Sequence, residues 1–351
     1  MTDRFLAEIL EQPEALRRTI KNYPLTQSNL FQLPQTIKAG HYRQILLTGM
    51  GSSLHSCYPL LLALNAHLSL PVIMWDASEL LHYAPTIIDD QTLLIAVSQS
   101  GESAEVKALA DLAFQPGLSI SVTNGLDNSL ARWATINLDT HAGDEASVST
   151  KTYVTTLAVL ALLAEQLIEG DIPATQDKLY QAASDMDGFL ANWESTLDKM
   201  AEFLGKCDNL AYIGRGTSVA TARTSALITE ESSKVFCMGL SAGQFRHGPL
   251  ELARSGFKAV IFAGNDTTRS LNERLATDIA TYGGQSLVVT PYATTTKALP
   301  NMLEIPISMA KPAILPILEI VPTELLTIRL AQANGFEPAT FDHATKVTTE
   351  E

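Results

Sequence analysis

The chain repeats itself. Gln44-Ile45-Leu46-Leu47-Thr48-Gly49-Met50-Gly51-Ser52-Ser53 and Asn209-Leu210-Ala211-Tyr212-Ile213-Gly214-Arg215-Gly216-Thr217-Ser218 are each a short apolar run ending in Gly-x-Gly-Ser/Thr-Ser. Later runs recur at nearly the same offset: Leu93 to Val97 answers Ala259 to Ala263, Ser119 to Thr123 answers Ser286 to Thr290, and Ile136 to Leu138 answers Leu303 to Ile305. Self-similarity over this length means two copies of one domain. Within each copy the runs are continuously apolar and bounded by Gly, Asn, Asp or Pro, as in strands of a parallel sheet covered on both faces, and helix-period stretches lie between them. The expected fold is therefore α/β: two tandem domains, each a doubly wound parallel sheet flanked by helices in the flavodoxin-like manner.

At 351 residues and 46% hydrophobic, the chain can bury two such cores, which excludes a disordered or fibrous protein. The expected division is a helical segment over 1–35, a first domain over 36–170, a helical connection over 171–200, a second domain over 201–335 and a C-terminal tail over 336–351. Phe5 to Tyr23 reads as an amphipathic helix in two pieces, because Pro13 suits the first turn of a helix and not its interior. Asp171 to Lys206 is polar with Ala, Leu, Met and Trp at helical intervals, hence helical.

A formal charge of -14 leaves no basic surface for a nucleic acid or an anionic membrane, so neither is expected as a partner. An anionic small molecule stays open, because backbone N–H groups, hydroxyls and helix N-termini bind a phosphate without net positive charge. The most apolar stretch, Thr156 to Ile168, is too short to span a bilayer, contains Glu165 and reads as a buried helix. Cys57, Cys207 and Cys237 are odd in number without metal-ligand spacing, and read as small buried residues in a reducing compartment. The opening Thr2-Asp3-Arg4 lacks the apolar core of a signal peptide, so a cytoplasmic protein is expected.

The run Leu93 to Val97 leads into Ser98-Gln99-Ser100-Gly101-Glu102-Ser103 and then the helical Ala104 to Leu112. Ligands of parallel α/β sheets sit outside the carboxyl ends of strands, and three serines with a glycine at a helix start offer what a phosphate monoester needs. Alternatively, Ser100 or Ser103 merely caps the helix. Gly51-Ser52-Ser53 after the first strand is a second hydroxyl-rich loop aimed at the same crevice. In the second half the counterpart is Gly264-Asn265-Asp266-Thr267, whose carboxylate would repel phosphate, so only the first half is expected to bind it.

Gly51-Ser52-Ser53, Ala77-Ser78-Glu79, Ser98 through Ser103, Ser149-Thr150-Lys151-Thr152, Gly214-Arg215-Gly216 and Gly243-Gln244-Phe245-Arg246-His247-Gly248-Pro249-Leu250 occur in this order, after Glu8-Ile9-Leu10-Glu11-Gln12-Pro13. As an ordered set over nearly the whole chain they resemble the double sugar isomerase (SIS) domain family of phosphosugar isomerases and deaminases, in particular the isomerase half of glucosamine-6-phosphate synthases. The resemblance implies phosphate binding by Ser53, Ser98, Gln99, Ser100 and Ser103, the last being threonine in the synthases. It places an enolising carboxylate sixteen positions before the His-Gly-Pro histidine, at Glu231. It makes His247 the ring-opening histidine, reaching across a dimer interface, and puts a site-closing lysine at Lys346 in Thr345-Lys346-Val347-Thr348. Proton transfer between C1 and C2 of an open-chain sugar needs one carboxylate, and ring opening needs a group that titrates near neutrality. A lysine can neutralise enolate charge, attack a carbonyl or shield the site.

Each residue also has a plainer reading: Glu231 beside Glu230 as solvated helix surface, His247 before Gly-Pro as a turn residue, Lys346 as a frayed end. The chain departs from the synthases in having no glutaminase domain or nucleophilic N-terminal cysteine, so glutamine-dependent synthesis is not expected of it. Ile228 stands where the synthases carry a lysine, and Asp144 to Lys151 matches only with a one-residue gap. The expected activity is deamination of glucosamine 6-phosphate to fructose 6-phosphate and ammonia, in a homodimer, with no metal or organic cofactor. The alternatives are a fructosamine-6-phosphate deglycase or another amino-sugar-phosphate isomerase, and, from another class, a non-catalytic sugar-phosphate sensor.

Overall fold

The computed structural model describes residues 4–24, 28–146, 148–265, 267–292, 299–343 and 345–348. Its first sheet comprises β1 (Gln44–Gly49), β2 (Val72–Asp76), β3 (Thr92–Val97), β4 (Leu118–Thr123) and β5 (Ile136–Asp139). All neighbours are parallel, in the order β2-β1-β3-β4-β5. The second comprises β6 (Asn209–Gly214), β7 (Phe236–Ser241), β8 (Lys258–Phe262), β9 (Gln285–Thr290) and β10 (Met302–Pro306). Its order, β10-β9-β8-β6-β7, is the same topology again, all parallel. Both are the doubly wound arrangement expected from the repeat, and in each the order in which strands are added to the parallel sheet reverses at one point, between β1 and β3 and between β6 and β8.

Two faces of each sheet are covered by different helices. In the first, Leu46, Leu94 and Ala96 pack with Leu80, Val106 and Leu109 from helices Ala77–Tyr83 and Ala104–Ala110. The alternate residues Ile45 and Leu47, also fully buried, point the other way, as the two-residue period of a strand requires. Each such side chain contributes about 1.5–3 kcal/mol on burial. In β3 all six residues are buried, so the loop that follows leaves from a rigid central strand.

Helix Lys151–Ile168 begins five residues before the apolar stretch that marked it in the sequence. At 18 residues it is long and apolar enough to cross a membrane by length and composition, which corrects the expectation that it is too short; 89% of it is buried within the protein. The extension arises because Lys151, Thr152 and Thr155 are polar yet buried, Thr155 donating to the Lys151 carbonyl at 2.8 Å. The N-terminal segment is two helices, Arg4–Leu10 and Gln12–Asn22, with Pro13 in the first turn of the second. Helices Ile172–Leu190 and Trp193–Leu204 precede the second sheet.

The chain divides into two compact units. One holds the first sheet, residues 14–146 and 151–180, together with the tail from His343; the other holds residues 181–342 and helix Arg4–Leu10.

Candidate functional site

In the first-sheet unit, the loops after β1 and β3 leave from neighbouring strands, Gly49 standing opposite Val97 in the register. This is the crevice at the switch point, where ligands of such sheets settle. Gly49 is required there: a Cβ would lie 2.6 Å from the Val97 carbonyl oxygen. Gly101 is required too, with φ of +63° and a Cβ position 2.0 Å from Asn128 Oδ1. The loop is held from inside. The Gly101 N–H donates to Ser98 Oγ at 3.1 Å, the Glu102 N–H donates to Ser100 Oγ at 3.1 Å, and the Leu130 N–H donates to the Gly101 carbonyl at 3.1 Å.

These bonds separate the two readings of the serines. Ser100 does serve its own turn. Ser103 occupies the N-cap position of Ala104–Ala110, yet its side chain makes no capping hydrogen bond. Among the described residues the Ser53 and Ser103 hydroxyls and the Gln99 amide group have no protein partner, whereas the Ser53 carbonyl takes Ser56 Oγ at 2.6 Å and so fixes the start of helix Gly51–His67. The five sequence-predicted phosphate residues thus sit on two adjacent loops.

Glu102, in the same loop, is engaged by the neighbouring helices. It pairs with Lys107 at 2.8 Å and accepts the Ser129 N–H at 2.7 Å, and the Lys107 contact, then the Ser129 bond, hold its carboxyl down at about 2. Cys57 follows Ser53 by one turn, and burial pushes its thiol up to about 12, so it is an inert filler. All three cysteines are unpaired and buried.

The tail is docked in this same unit. Lys346 Nζ lies 2.8 Å from Glu145 Oε2, and the Glu145 side chain is fully buried. Thr152 anchors that carboxylate with its N–H at 3.0 Å and its hydroxyl at 2.6 Å. Two residues beyond Lys346, the Thr348 carbonyl accepts the Ala104 N–H at 3.0 Å, at the start of the helix that follows the serine loop. Lys346 is therefore no frayed end. Glu145 was missed in the sequence, because it lies in the segment that matches the family only with a gap, and its partner is about two hundred positions away.

In the second-sheet unit, helix Ser218–Ser233 packs on helix Leu315–Ala333 through buried hydroxyl pairs, Ser225 to Thr323 at 2.8 Å and Thr229 to Thr327 at 3.0 Å. The loop equivalent to Gly49 through Ser53 is occupied from within. Ser218 Oγ donates to Glu319 at 2.7 Å and Thr221 Oγ1 at 2.9 Å, and Glu319 is completely buried. Asp266, on which the sequence reading of this half rested, lies outside the described residues. Glu319 was not singled out, since one acid in an apolar helix carries no motif.

Glu231 is half-buried in the last turn of helix Ser218–Ser233. Ile228, where the synthases carry lysine, is a buried core residue. His247 is exposed after the short helix Ala242–Arg246; its backbone N–H donates to the Gln244 carbonyl at 3.0 Å, and its ring has no partner among the described residues. The two residues belong to opposite faces of the sheet. Tyr212 of β6 points to the helix carrying Glu231, its hydroxyl 2.7 Å from Thr229 Oγ1, while its neighbours Ala211 and Ile213 pack with Phe245, two residues before His247. Arg246 is tied to Asp278 at 2.7 Å. A groove of about 470 Å³ lined by Phe236, Met238, Leu252 and Arg254 opens at the amino ends of β6 and β7, the wrong end of the strands for a switch-point ligand. Among the described residues no group of three His, Cys, Asp or Glu is placed to hold a metal ion.

A model of the SIS domain matches residues 41–166 and again 203–332. Among curated proteins, glutamine–fructose-6-phosphate aminotransferase (isomerizing) of Pyrococcus horikoshii is 32% identical over 348 residues, covering 95% of this chain and 55% of that protein. The chain spans about half the length of the curated relatives it matches. Among solved structures, the C-terminal domain of glucosamine-fructose-6-phosphate aminotransferase from Francisella tularensis superposes with a TM-score of 0.84 at 21% identity, over 98% of this chain and 99% of that one. Glucosamine-6-phosphate deaminase from Thermotoga maritima gives 0.78 at 20% identity, over 99% and 100%. These structural likenesses are of fold. The two SIS matches take in β1 through β5 and β6 through β10 respectively. On that double match, sheet for sheet, the chain belongs to the SIS domain family and carries two copies of the domain.

Proposed function

We propose that the protein is a phosphosugar isomerase of the deaminase kind, converting glucosamine 6-phosphate to fructose 6-phosphate and ammonia. The observation that carries this reading is the first-sheet crevice: hydroxyls of Ser53 and Ser103 and the amide of Gln99 have no partner among the described residues, with a lysine-bearing tail docked at the start of the helix that follows the serine loop. Ser98 and Ser100 complete the phosphate cradle. The sugar's own carbonyl serves as electron sink. In the open-chain form Glu231 takes the C2 proton, giving an enolamine, and returns it to C1; the resulting C2 ketimine adds water and releases ammonia, leaving the C2 ketone of fructose 6-phosphate. His247 protonates the ring oxygen as the ring opens. Lys346 neutralises charge that develops on the C1 oxygen.

The relatives support amino-sugar chemistry: the Pyrococcus protein is by name an isomerizing aminotransferase of fructose 6-phosphate, and the Thermotoga protein a deaminase. A homodimer in the cytoplasm is part of the proposal. One copy presents Glu231 and His247 on two faces of its second sheet, which favours a site that takes its histidine from a second copy. Purified protein with glucosamine 6-phosphate should release ammonia and fructose 6-phosphate in equal amounts. Galactosamine 6-phosphate and a fructosamine 6-phosphate, run alongside, separate the neighbouring activities: turnover of one of these alone moves the substrate, and silence with all three removes the enzyme reading.

A further inference from the structure

Helix Ser218–Ser233 ends at Lys234, whose backbone is left-handed, with φ of 57° and ψ of 20°. Glycine or asparagine is the ordinary residue at such a terminus, because a Cβ is strained there. A long cationic side chain held in that conformation needs a reason, and its ammonium supplies one. Lys234 Nζ donates to the Glu231 carbonyl at 2.5 Å and to the Thr340 carbonyl at 2.7 Å, and lies 3.9 Å from Asp342. The side chain is 25% exposed, so these contacts are partly shielded from solvent. One cation thus ties the last helical turn carrying Glu231 to the segment from which the chain continues to Lys346, four residues beyond Asp342. Asn334 reinforces the same corner, its side-chain amide donating to the Ser233 carbonyl at 3.3 Å.

We propose that Lys234 is a positioning residue, a clip that fixes Glu231 and the departure of the tail relative to each other. Its role in turnover rests on the function proposed above; the clip itself does not. Lysine at this position is not part of the motif set that carries the family resemblance; the left-handed backbone and the ammonium contacts together distinguish it.

The test compares Lys234→Gly and Lys234→Arg with the unaltered chain. Glycine relieves the left-handed backbone while deleting the ammonium, so the melting temperature should hold or rise. Hydrogen exchange over residues 339–343 should nevertheless quicken at least tenfold, and kcat should fall about 10- to 100-fold with KM little changed, as for a misplaced catalytic group. Arginine should restore both protection and kcat to within about threefold. Unchanged exchange in Lys234→Gly would overturn the clip, and faster exchange with unchanged kcat would overturn its positioning role. Should the unaltered protein turn over no amino-sugar phosphate, the proposed function fails, while melting and exchange still decide whether the clip exists.

Discussion

The two halves of the molecule share one topology and differ in what happens at the same loop. After β1 the Ser53 hydroxyl has no partner among the described residues; after β6 its counterpart Ser218 is bound to the buried Glu319, which also takes the Thr221 hydroxyl. A carboxylate drawn from the protein's own helix Leu315–Ala333 stands where an external anion would need donors. On the proposed function, duplication yields two crevices with separate work: in the first half a hydroxyl-rich loop proposed to recognise phosphate, in the second a self-satisfied loop whose bonds to Glu319 hold together the two helices that carry Ser218 and Glu319. Burying an acid is costly unless it is well hydrogen-bonded, so Glu319 is a structural commitment.

The largest effect that would sharpen this division is on chemistry. Glu231→Gln should lower kcat for ammonia release by about 10³-fold or more while fructose 6-phosphate still binds, because a general base typically contributes 10²–10⁴-fold; comparable turnover would break the assignment of chemistry to the second half. Next is stability. Glu319→Ala leaves the Ser218 and Thr221 hydroxyls stranded and should cost about 3 kcal/mol in denaturant unfolding, with Ser218→Ala costing about 1.5–3 kcal/mol. Neither cost is expected of Ser53→Ala or Ser103→Ala, which should stay within about 0.5 kcal/mol of the parent. Those two should instead raise KM by about tenfold each, as loss of a hydrogen bond to a charged group does. A Ser53→Ala variant that melts early and binds normally would reverse the comparison.

The smallest effect is on acid stability. Glu102, held down to about 2 from its ordinary 4.5 chiefly by Lys107, contributes stability that is present above about pH 4.5 and lost as pH falls toward 2. Glu102→Gln should flatten that part of the stability profile only slightly, because the group is open to solvent. A steeper acid limb in the variant would show the sign to be wrong.

How much could be read beforehand follows from burial. The central strands β1, β3, β4, β6, β8 and β9 are buried nearly end to end, so their sequences are continuous apolar runs, and the short β5 and β10 were placed by the repeat. β2 and β7 escaped notice: they are the edge strands beside β1 and β6, mostly half-exposed, and Trp75 and Phe236 face outward where a core strand would bury them. The serine loop was legible because hydroxyls and glycine cluster locally. Glu145, Glu319 and Lys234 were not, since each acquires meaning from a partner about a hundred or more positions away, or, for Lys234, from a backbone angle.

The most direct measurement is a calorimetric titration with fructose 6-phosphate of the parent chain, Ser53→Ala and Ser218→Ala. One site per chain, lost or weakened at least tenfold in Ser53→Ala and unchanged in Ser218→Ala, is the expected result. Two sites per chain, or binding that fails in Ser218→Ala while surviving intact in Ser53→Ala, would contradict the division between the halves.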